Sequence, residues 1–484
     1  MNPFPALRLP AWVTPVSAAF VGSLLLTVIA HHNKSINFDG ILYVHSAVEF
    51  LDGGFDAAKK VYRFPFLPIL MALVAKLTGL GPEYAGYLLN AMFMAGTCAL
   101  LVSCVDRTSP EIAWSACLAV LSLPGLNEYR HELLREYGCW FFVMLGFWLA
   151  LRWEENPRWM TALAVQASLG TAALFRLEAL AFFPALFLWQ VWQAPRGERF
   201  RRLLMMGALP ILGGVLLLGL YFGGGISKGS KFADELRHFG LSSFDAKAQA
   251  LAASLIFFAK ANAGVILFVG SLAVVPLKII GKLGLFLVPL VFIVFSGQLR
   301  PVLARFALFS WGIAACLFVL AVFVIDLQFL QGRYVGLVLL FSAPFVGFGL
   351  WQMMQRYPRW RVLIVLLAGL MMIINLKALG PGRDYYVEAG AWLSSNIKDT
   401  SRVYNENRRM PHYARWYKNE PIDKENRDSI GKVLAEKKYD YFVFDVAAKD
   451  PPIDPWLERN GFQVVQRFGR PAGDGIVVAI PARN

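Results

Sequence analysis

Charge is scarce in this chain. Of its 484 residues only 17% are charged and 57% are hydrophobic, with a mean hydropathy of +0.50. Soluble proteins carry roughly a quarter charged residues, so the composition excludes an ordinary soluble enzyme and implies a polytopic membrane protein. Cysteine is scarce as well. Cys98, Cys104, Cys117, Cys139 and Cys316 all fall in apolar segments without metal-like spacing, so neither a disulfide framework nor a cysteine metal site is expected. His45 and His131 stand too far apart to suggest one either. No cofactor is indicated, although a divalent metal stays open. The chain lacks an internal repeat, which weakens a transporter built from repeated halves. The first apolar run lacks a small-residue cleavage site and reads as a retained anchor. Gly223-Gly224-Gly225 lacks the strand and helix that flank a phosphate loop, and reads as a helix end or hinge.

What is present is apolar runs punctuated by arginine. The 38 Phe and 14 Trp suit lipid-facing and interfacial surface, and the net charge of +14 sits largely in short runs between apolar segments. That pattern sets membrane orientation and argues against nucleic acid. Spanning candidates are 11–30, 84–105, 111–126, 137–152, 159–175, 178–193, 203–223, 306–325, 335–355 and 362–376. A first outer loop, 31–83, holds a surface-lying helix at 41–51 and a Pro-led apolar helix at 66–80. Arginines 196, 199, 201, 202, 300, 305, 356, 359 and 361 mark cytoplasmic loops. Alternation then puts the N-terminus inside, with 31–83, 127–136, 175–178, 224–250 and 326–334 outside. The block 251–297 must cross an odd number of times, giving 11 helices with one crossing or 13 with three, and three are favoured.

Beyond a membrane domain at 1–376, the composition changes. Residues 377–484 read as an outer soluble α/β domain: helices at 384–398 and 424–437, strands at 401–405, 439–446, 461–468 and 475–480. Asp440 and Asp445 flank a strand without catalytic spacing. The domain is expected to cover a cavity or recruit an acceptor.

Ionisable groups recur at the outer helix ends. Asp39 is the first carboxylate of the sequence; Tyr129-Arg130-His131-Glu132, Arg135-Glu136-Tyr137, Phe175-Arg176-Leu177-Glu178 and Arg333-Tyr334 follow. Taken singly, each reads equally well as a solvated Arg–Glu pair. For Arg176 and Glu178 the loop is so short that burial is favoured. Charges at membrane depth are costly and face a cavity or one another. Several arginines and one acid on one face suggest an anion site, since the guanidinium fork matches phosphate and stabilises a leaving phosphate. Asp39 is the matching general base. A polyprenyl-phosphate sugar fits as substrate. Tyr43 reads equally as a substrate contact or an interfacial aromatic. Lys228, Lys231 and Arg237 read as solvated charges, with phosphate headgroups as the other reading.

With these residues the chain resembles the GT-C glycosyltransferases, in the branch of the lipid A aminoarabinose transferase and the protein O-mannosyltransferases. The resemblance rests on Asp39-x-x-x-Tyr43, Tyr62-Arg63-Phe64-Pro65-Phe66-Leu67-Pro68, Arg130 with Arg135, Arg333-Tyr334, and Val387-Glu388-Ala389-Gly390-Ala391-Trp392-Leu393 opening the outer domain. It implies an inverting transfer from a polyprenyl-phosphate sugar with Asp39 as base. Tyr43, Arg63, Arg130, Arg135, Arg176, Glu178, Arg333 and Tyr334 are then expected at the substrate. Two positions depart from the family. Gly40 stands where it often has a second acid, and Arg63-Phe64 stands where it has a lysine before the proline. A bacterial inner-membrane enzyme with a periplasmic C-terminal domain is expected, acting on lipid A, another glycan or protein. The competing class is a flippase or exporter of an anionic lipid or glycan. A scaffold subunit of an envelope assembly is a third.

Overall fold

The computed structural model describes residues 10, 12–31, 35–222, 244–376, 383–417, 430–447, 450–470 and 473–482. The glycines at 223–225, Lys228, Lys231, Arg237 and the stretch 424–429 lie outside the described residues. The helices in order are α1 Pro15–His31, α2 Phe38–Val61, α3 Phe66–Thr78, α4 Pro82–Thr108, α5 Ala113–Ser122, α6 Pro124–Asn127, α7 Glu136–Glu155, α8 Trp159–Phe175, α9 Phe182–Gln193 and α10 Arg199–Phe222. Then come α11 Phe244–Ser254, α12 Phe257–Lys260, α13 Ala263–Leu283, α14 Leu287–Phe295, α15 Leu299–Arg305, α16 Ala307–Leu327, α17 Gly336–Arg356 and α18 Arg361–Ile374. Four stretches among the described residues are long and apolar enough to cross a membrane: Pro82–Thr108, Ala263–Phe295, Ala307–Leu327 and Gly332–Arg356. Shorter apolar helices include α1, α3 and α8.

The block 251–297 does not form three spanning helices. At about 1.5 Å per residue, only α13 with its 21 residues has the length, and Gly284 at φ +55° ends it before the nine-residue α14. One crossing, the lower of the two counts, matches that division.

Two compact units do not follow chain order. The first comprises Met1–Thr27, Asn90–Arg130 and Arg135–Lys377; the second comprises Val28–Leu89, His131–Leu134 and Ala378–Asn484. In the first, α7 packs on α8 and α17 on α5. α17 is buried on nearly every side, which is why its sequence is apolar all round. Phe147 stacks on Phe341 at 4.9 Å, with Phe182 and Phe309 edge-on to Phe341. At Gly347 a Cβ would stand 2.8 Å from the Ala116 Cα, so a residue without a side chain lets these backbones approach. All five cysteines are buried thiols.

In the second unit α2 is a helical hairpin and not a simple surface helix. The Ser46 hydroxyl donates to the Ala58 carbonyl at 3.0 Å, and Tyr43 meets Tyr62 edge-on at 5.1 Å. In a straight helix Ser46 and Ala58 would lie about 18 Å apart along the axis. The reversal occurs at Gly53-Gly54, where Gly54 takes φ +72°, open to glycine at no steric cost. Tyr43, Val44 and Ala47 are buried by this fold, while Asp52 and Asp56 are exposed.

The C-terminal part has helices α19 Tyr385–Asn396, α20 Arg409–Tyr413, α21 Ile430–Ala435 and α22 Asp454–Arg459. Its strands are β1 Val403–Asn405, β2 Tyr441–Val446, β3 Phe462–Gly469 and β4 Gly475–Pro481, in the order β1-β2-β4-β3. β1 and β2 run parallel and the other pairs antiparallel. Alternation along the strands serves two cores. Val443, Ile476 and Val478 pack with Tyr386, Leu393 and Met410; Phe442, Phe444, Val477 and Ala479 pack with Ile453, Leu457 and Phe462.

Candidate active site

In the first unit, the short connection after α8 brings an arginine between two acids. Arg176 ends α8 in extended conformation, and a 3₁₀ turn, Leu177–Ala181, follows at once. Its Nη1 donates to Glu136 Oε1 at 2.7 Å and its Nη2 to Glu178 Oε1 at 2.6 Å, with Nε 3.4 Å from Glu178 Oε2. Glu136 opens α7. Its carboxylate also lies 3.6 Å from the Nε of Arg333. Arg176 and Arg333 lie over the ring of Tyr334, at 4.9 and 5.5 Å from its centroid. Arg135, beside Glu136, contributes positive potential at Glu178.

The side chains of Arg176, Glu136 and Arg333 are 13%, 5% and 17% exposed, so these charges depend on one another. Beneath them a pocket continues into the bundle, lined by Trp140, Phe182, Cys316, Leu320, Phe323 and Leu337. Its walls are mostly apolar, with the charges gathered in one cluster around Arg176. Two arginines, Arg176 and Arg333, and two glutamates, Glu136 and Glu178, line it, and Arg135 adds its positive potential from outside the lining.

Arg130 is placed elsewhere. It does not line that pocket. Its Nη1 donates to the Ser23 carbonyl at 3.0 Å, the Ser23 hydroxyl at 2.9 Å and the Thr27 hydroxyl at 3.0 Å, and its Nε to Asn127 Oδ1 at 2.6 Å. Arg130 therefore ties the segment after α6 to α1. Next to it, Lys282 of α13 pairs with Glu128 and lies 5.4 Å from the Tyr129 ring centroid. The sequence reading missed this pair, although a lysine within an apolar helix is itself a signal of a partner. It likewise named Glu136 without a role.

In the second unit, Asp39 lies in the first turn of α2, where a carboxylate interacts favourably with the helix dipole. It is half-buried, and Tyr43, one turn on, is 3% exposed. The Asn37 side chain does not cap the helix. Its Oδ1 accepts from the Leu133 backbone N–H at 2.9 Å and its Nδ2 donates to the Leu133 carbonyl at 3.3 Å. Arg63 is exposed, 5.4 Å from the Phe64 ring centroid. Ile36, before Asn37, donates its N–H to the Tyr413 hydroxyl at 3.0 Å and accepts at its carbonyl from Arg409 Nε at 3.0 Å. Burial pushes the Tyr413 phenol up to about 12, so it stays neutral in this role. His412 pairs with Glu83 at 2.9 Å. Among the described residues no group of three or more His, Cys, Asp or Glu could hold a metal ion.

No protein-family model matches the sequence, and no curated protein does. Solved structures do match. ArnT from Cupriavidus metallidurans bound to undecaprenyl phosphate superposes with a TM-score of 0.53 at 13% identity, covering 96% of this chain and 97% of that one. The apo state of the same protein gives 0.42 at 14% identity with the same coverage. From end to end, the chain shares the fold of that structure, mostly helical with a small C-terminal sheet domain.

Proposed function

We propose that the chain is a membrane glycosyltransferase that takes a sugar from a polyprenyl-phosphate donor. The observation that carries this reading is the Arg176, Arg333 and Tyr334 cluster in a pocket with mostly apolar walls. A phosphate diester with an isoprenoid tail has the same division of character. A solved structure with this fold, ArnT, is bound to undecaprenyl phosphate, which supports the same donor class here.

Arg176, Arg333 and Arg135 take the phosphate, with Glu136 and Glu178 fixing the guanidinium planes. Tyr334 is a surface for the headgroup, and Arg63 is a further phosphate contact. Asp39 accepts the proton of an acceptor hydroxyl as its oxygen forms the bond to the anomeric carbon. The bond from that carbon to the phosphate oxygen breaks, and the arginines stabilise the developing charge. Attack on the face opposite the leaving phosphate inverts the sugar. Tyr43, one turn further along α2, shapes the surroundings of Asp39. Arg130 is an anchor in this account. The acceptor is a lipid, a glycan or a protein at the outer surface of a bacterial inner membrane, with the C-terminal domain in the periplasm.

Transfer of radiolabelled sugar from polyprenyl-phosphate donors, measured in membranes carrying wild type or Asp39→Asn, tests the reading. Asn keeps the shape and removes the base. Loss of transfer at normal protein level and donor binding upholds it. Unchanged transfer removes Asp39 from the chemistry, and a wild type inactive with every donor removes the enzyme.

A further inference from the structure

The three residues before Asp39 are each held by a partner distant in sequence. Both backbone polar groups of Ile36 are taken by α20, the N–H by the Tyr413 hydroxyl and the carbonyl by Arg409 Nε. Asn37 spends its amide on both backbone groups of Leu133. Phe38 lies under the Arg409 guanidinium at 4.5 Å. Asp39 follows directly, in the first turn of α2.

A clamp positions only if it is itself fixed, and α20 is. Met410 and His412 are buried. At Gly390 of α19 a Cβ would come within 2.3 Å of the Tyr413 Cβ, so the two helices touch at closest packing. Asn407 Oδ1 accepts from the backbone N–H of Arg409 at 2.8 Å, and its amide bonds Asp445 at the end of β2. The Tyr386 hydroxyl lies 3.3 Å from the same carboxylate, and the Tyr386 ring sits 5.1 Å from the Arg409 guanidinium. From sheet to Ile36 peptide the contacts run through Asp445, Asn407, Arg409 and Tyr413.

We infer that Arg409 and Tyr413 of the C-terminal domain are positioning residues for Asp39, holding the Ile36 peptide so that the first turn of α2 presents its carboxylate in one place. The inference rests on the transferase reading and deepens it. The C-terminal domain is then part of the catalytic support, and not only a cover or a recruiter of acceptor. Neither residue touches the reacting atoms. Misplacement of about 1 Å by a distant change can cost on the order of 100-fold in rate, which sets the scale of the effect.

The test uses the full chain in membranes or nanodiscs. Tyr413→Phe keeps the packed ring and removes the acceptor of the Ile36 N–H; Arg409→Lys keeps the charge and removes the planar donor. Arg402→Ala, which breaks an exposed pair with Asp440 in the same domain, is the control. Two readouts are taken: sugar-transfer kinetics and amide hydrogen exchange of the peptide spanning 35–43. Tyr413→Phe is expected to exchange faster there and, at a temperature where it is fully folded, to lower kcat about 10- to 100-fold with KM for the donor unchanged, while the stranded Ile36 N–H lowers the melting temperature modestly. Arg402→Ala should match wild type in both. Unchanged exchange, faster exchange with unchanged kcat, or a kcat loss that merely follows a fall in melting temperature overturns the inference. A wild type that transfers from no donor defeats the transferase reading alone. Faster exchange in Tyr413→Phe still upholds the clamp in that case, and unchanged exchange still defeats it.

Discussion

Gly40 and Leu133 approach so closely that position 40 has no room for a side chain. A Cβ there would lie 3.1 Å from the Leu133 Cβ, 2.9 Å from Ile36 Cγ1 and 2.7 Å from Asn37 Oδ1. The family's frequent second acid is therefore sterically barred beside Asp39, because the segment His131–Leu134 is clamped against the start of α2 by Asn37. Gly40→Ala is expected to destabilise the second unit by about 1–3 kcal/mol through overpacking, and Gly40→Asp by more. Thermal melting of the purified protein checks the order. An Ala variant as stable as wild type would show that the clamp yields.

Arg176 binds two carboxylates at once, Glu136 buried and Glu178 half-buried. Arg176→Ala leaves Glu136 and Glu178 without their main counter-charge and is expected to cost about 3–5 kcal/mol. Arg176→Lys keeps the charge but cannot reach Glu136 and Glu178 in one planar fork. It should fold, and bind polyprenyl phosphate more weakly than wild type. A binding measurement with polyprenyl phosphate in detergent separates the two effects. Equal affinity in wild type and Arg176→Lys would remove the guanidinium geometry from donor binding.

Much of this was readable in the sequence where one local rule decides. Phe442, Val443 and Phe444 alternate, and the strand follows with its neighbours on opposite cores. Arg176 and Glu178 flank one residue between two apolar runs, so burial and pairing follow from solvation cost. The hairpin in α2 was not legible, because Gly53-Gly54 permits a reversal without requiring it; the packing of Tyr43 on Tyr62 decides. The link from Arg409 to Ile36 joins residues 373 apart, and no local pattern marks either end. Arg130 has the residue type of a phosphate contact, yet its hydrogen bonds run to Ser23 and Thr27. Composition cannot tell a ligand-binding arginine from an anchoring one.

Lys282 and Glu128 pair within the first unit, each the other's counter-charge. Lys282→Met alone is expected to destabilise by about 3–5 kcal/mol, because it strands the carboxylate. Adding Glu128→Gln should recover a large part of that, giving a coupling of roughly 0.5–3 kcal/mol in the double-mutant cycle. Thermal melts of the four proteins measure it. Additive losses would mean that the two residues do not depend on each other.

Arg130 and Arg176 should part company under substitution. Arg130 spends its Nη1 and Nε on Ser23, Thr27 and Asn127, so Arg130→Met leaves those oxygens buried without a donor, each at about 1–3 kcal/mol. The Ser23 and Thr27 hydroxyls can turn to other acceptors, and the Thr27 hydroxyl already donates to the Ser23 carbonyl at 2.9 Å. The net loss is therefore nearer the cost of one or two such groups, and the melting temperature should fall. At a temperature where the variant is still folded, its KM for a polyprenyl-phosphate donor should equal that of wild type. Arg176→Lys should show the reverse: a raised donor KM with little change in melting. If Arg130→Met instead raised the donor KM without lowering the melting temperature, the residue would belong with the phosphate contacts, and the bonds to α1 would be the lesser part of its role.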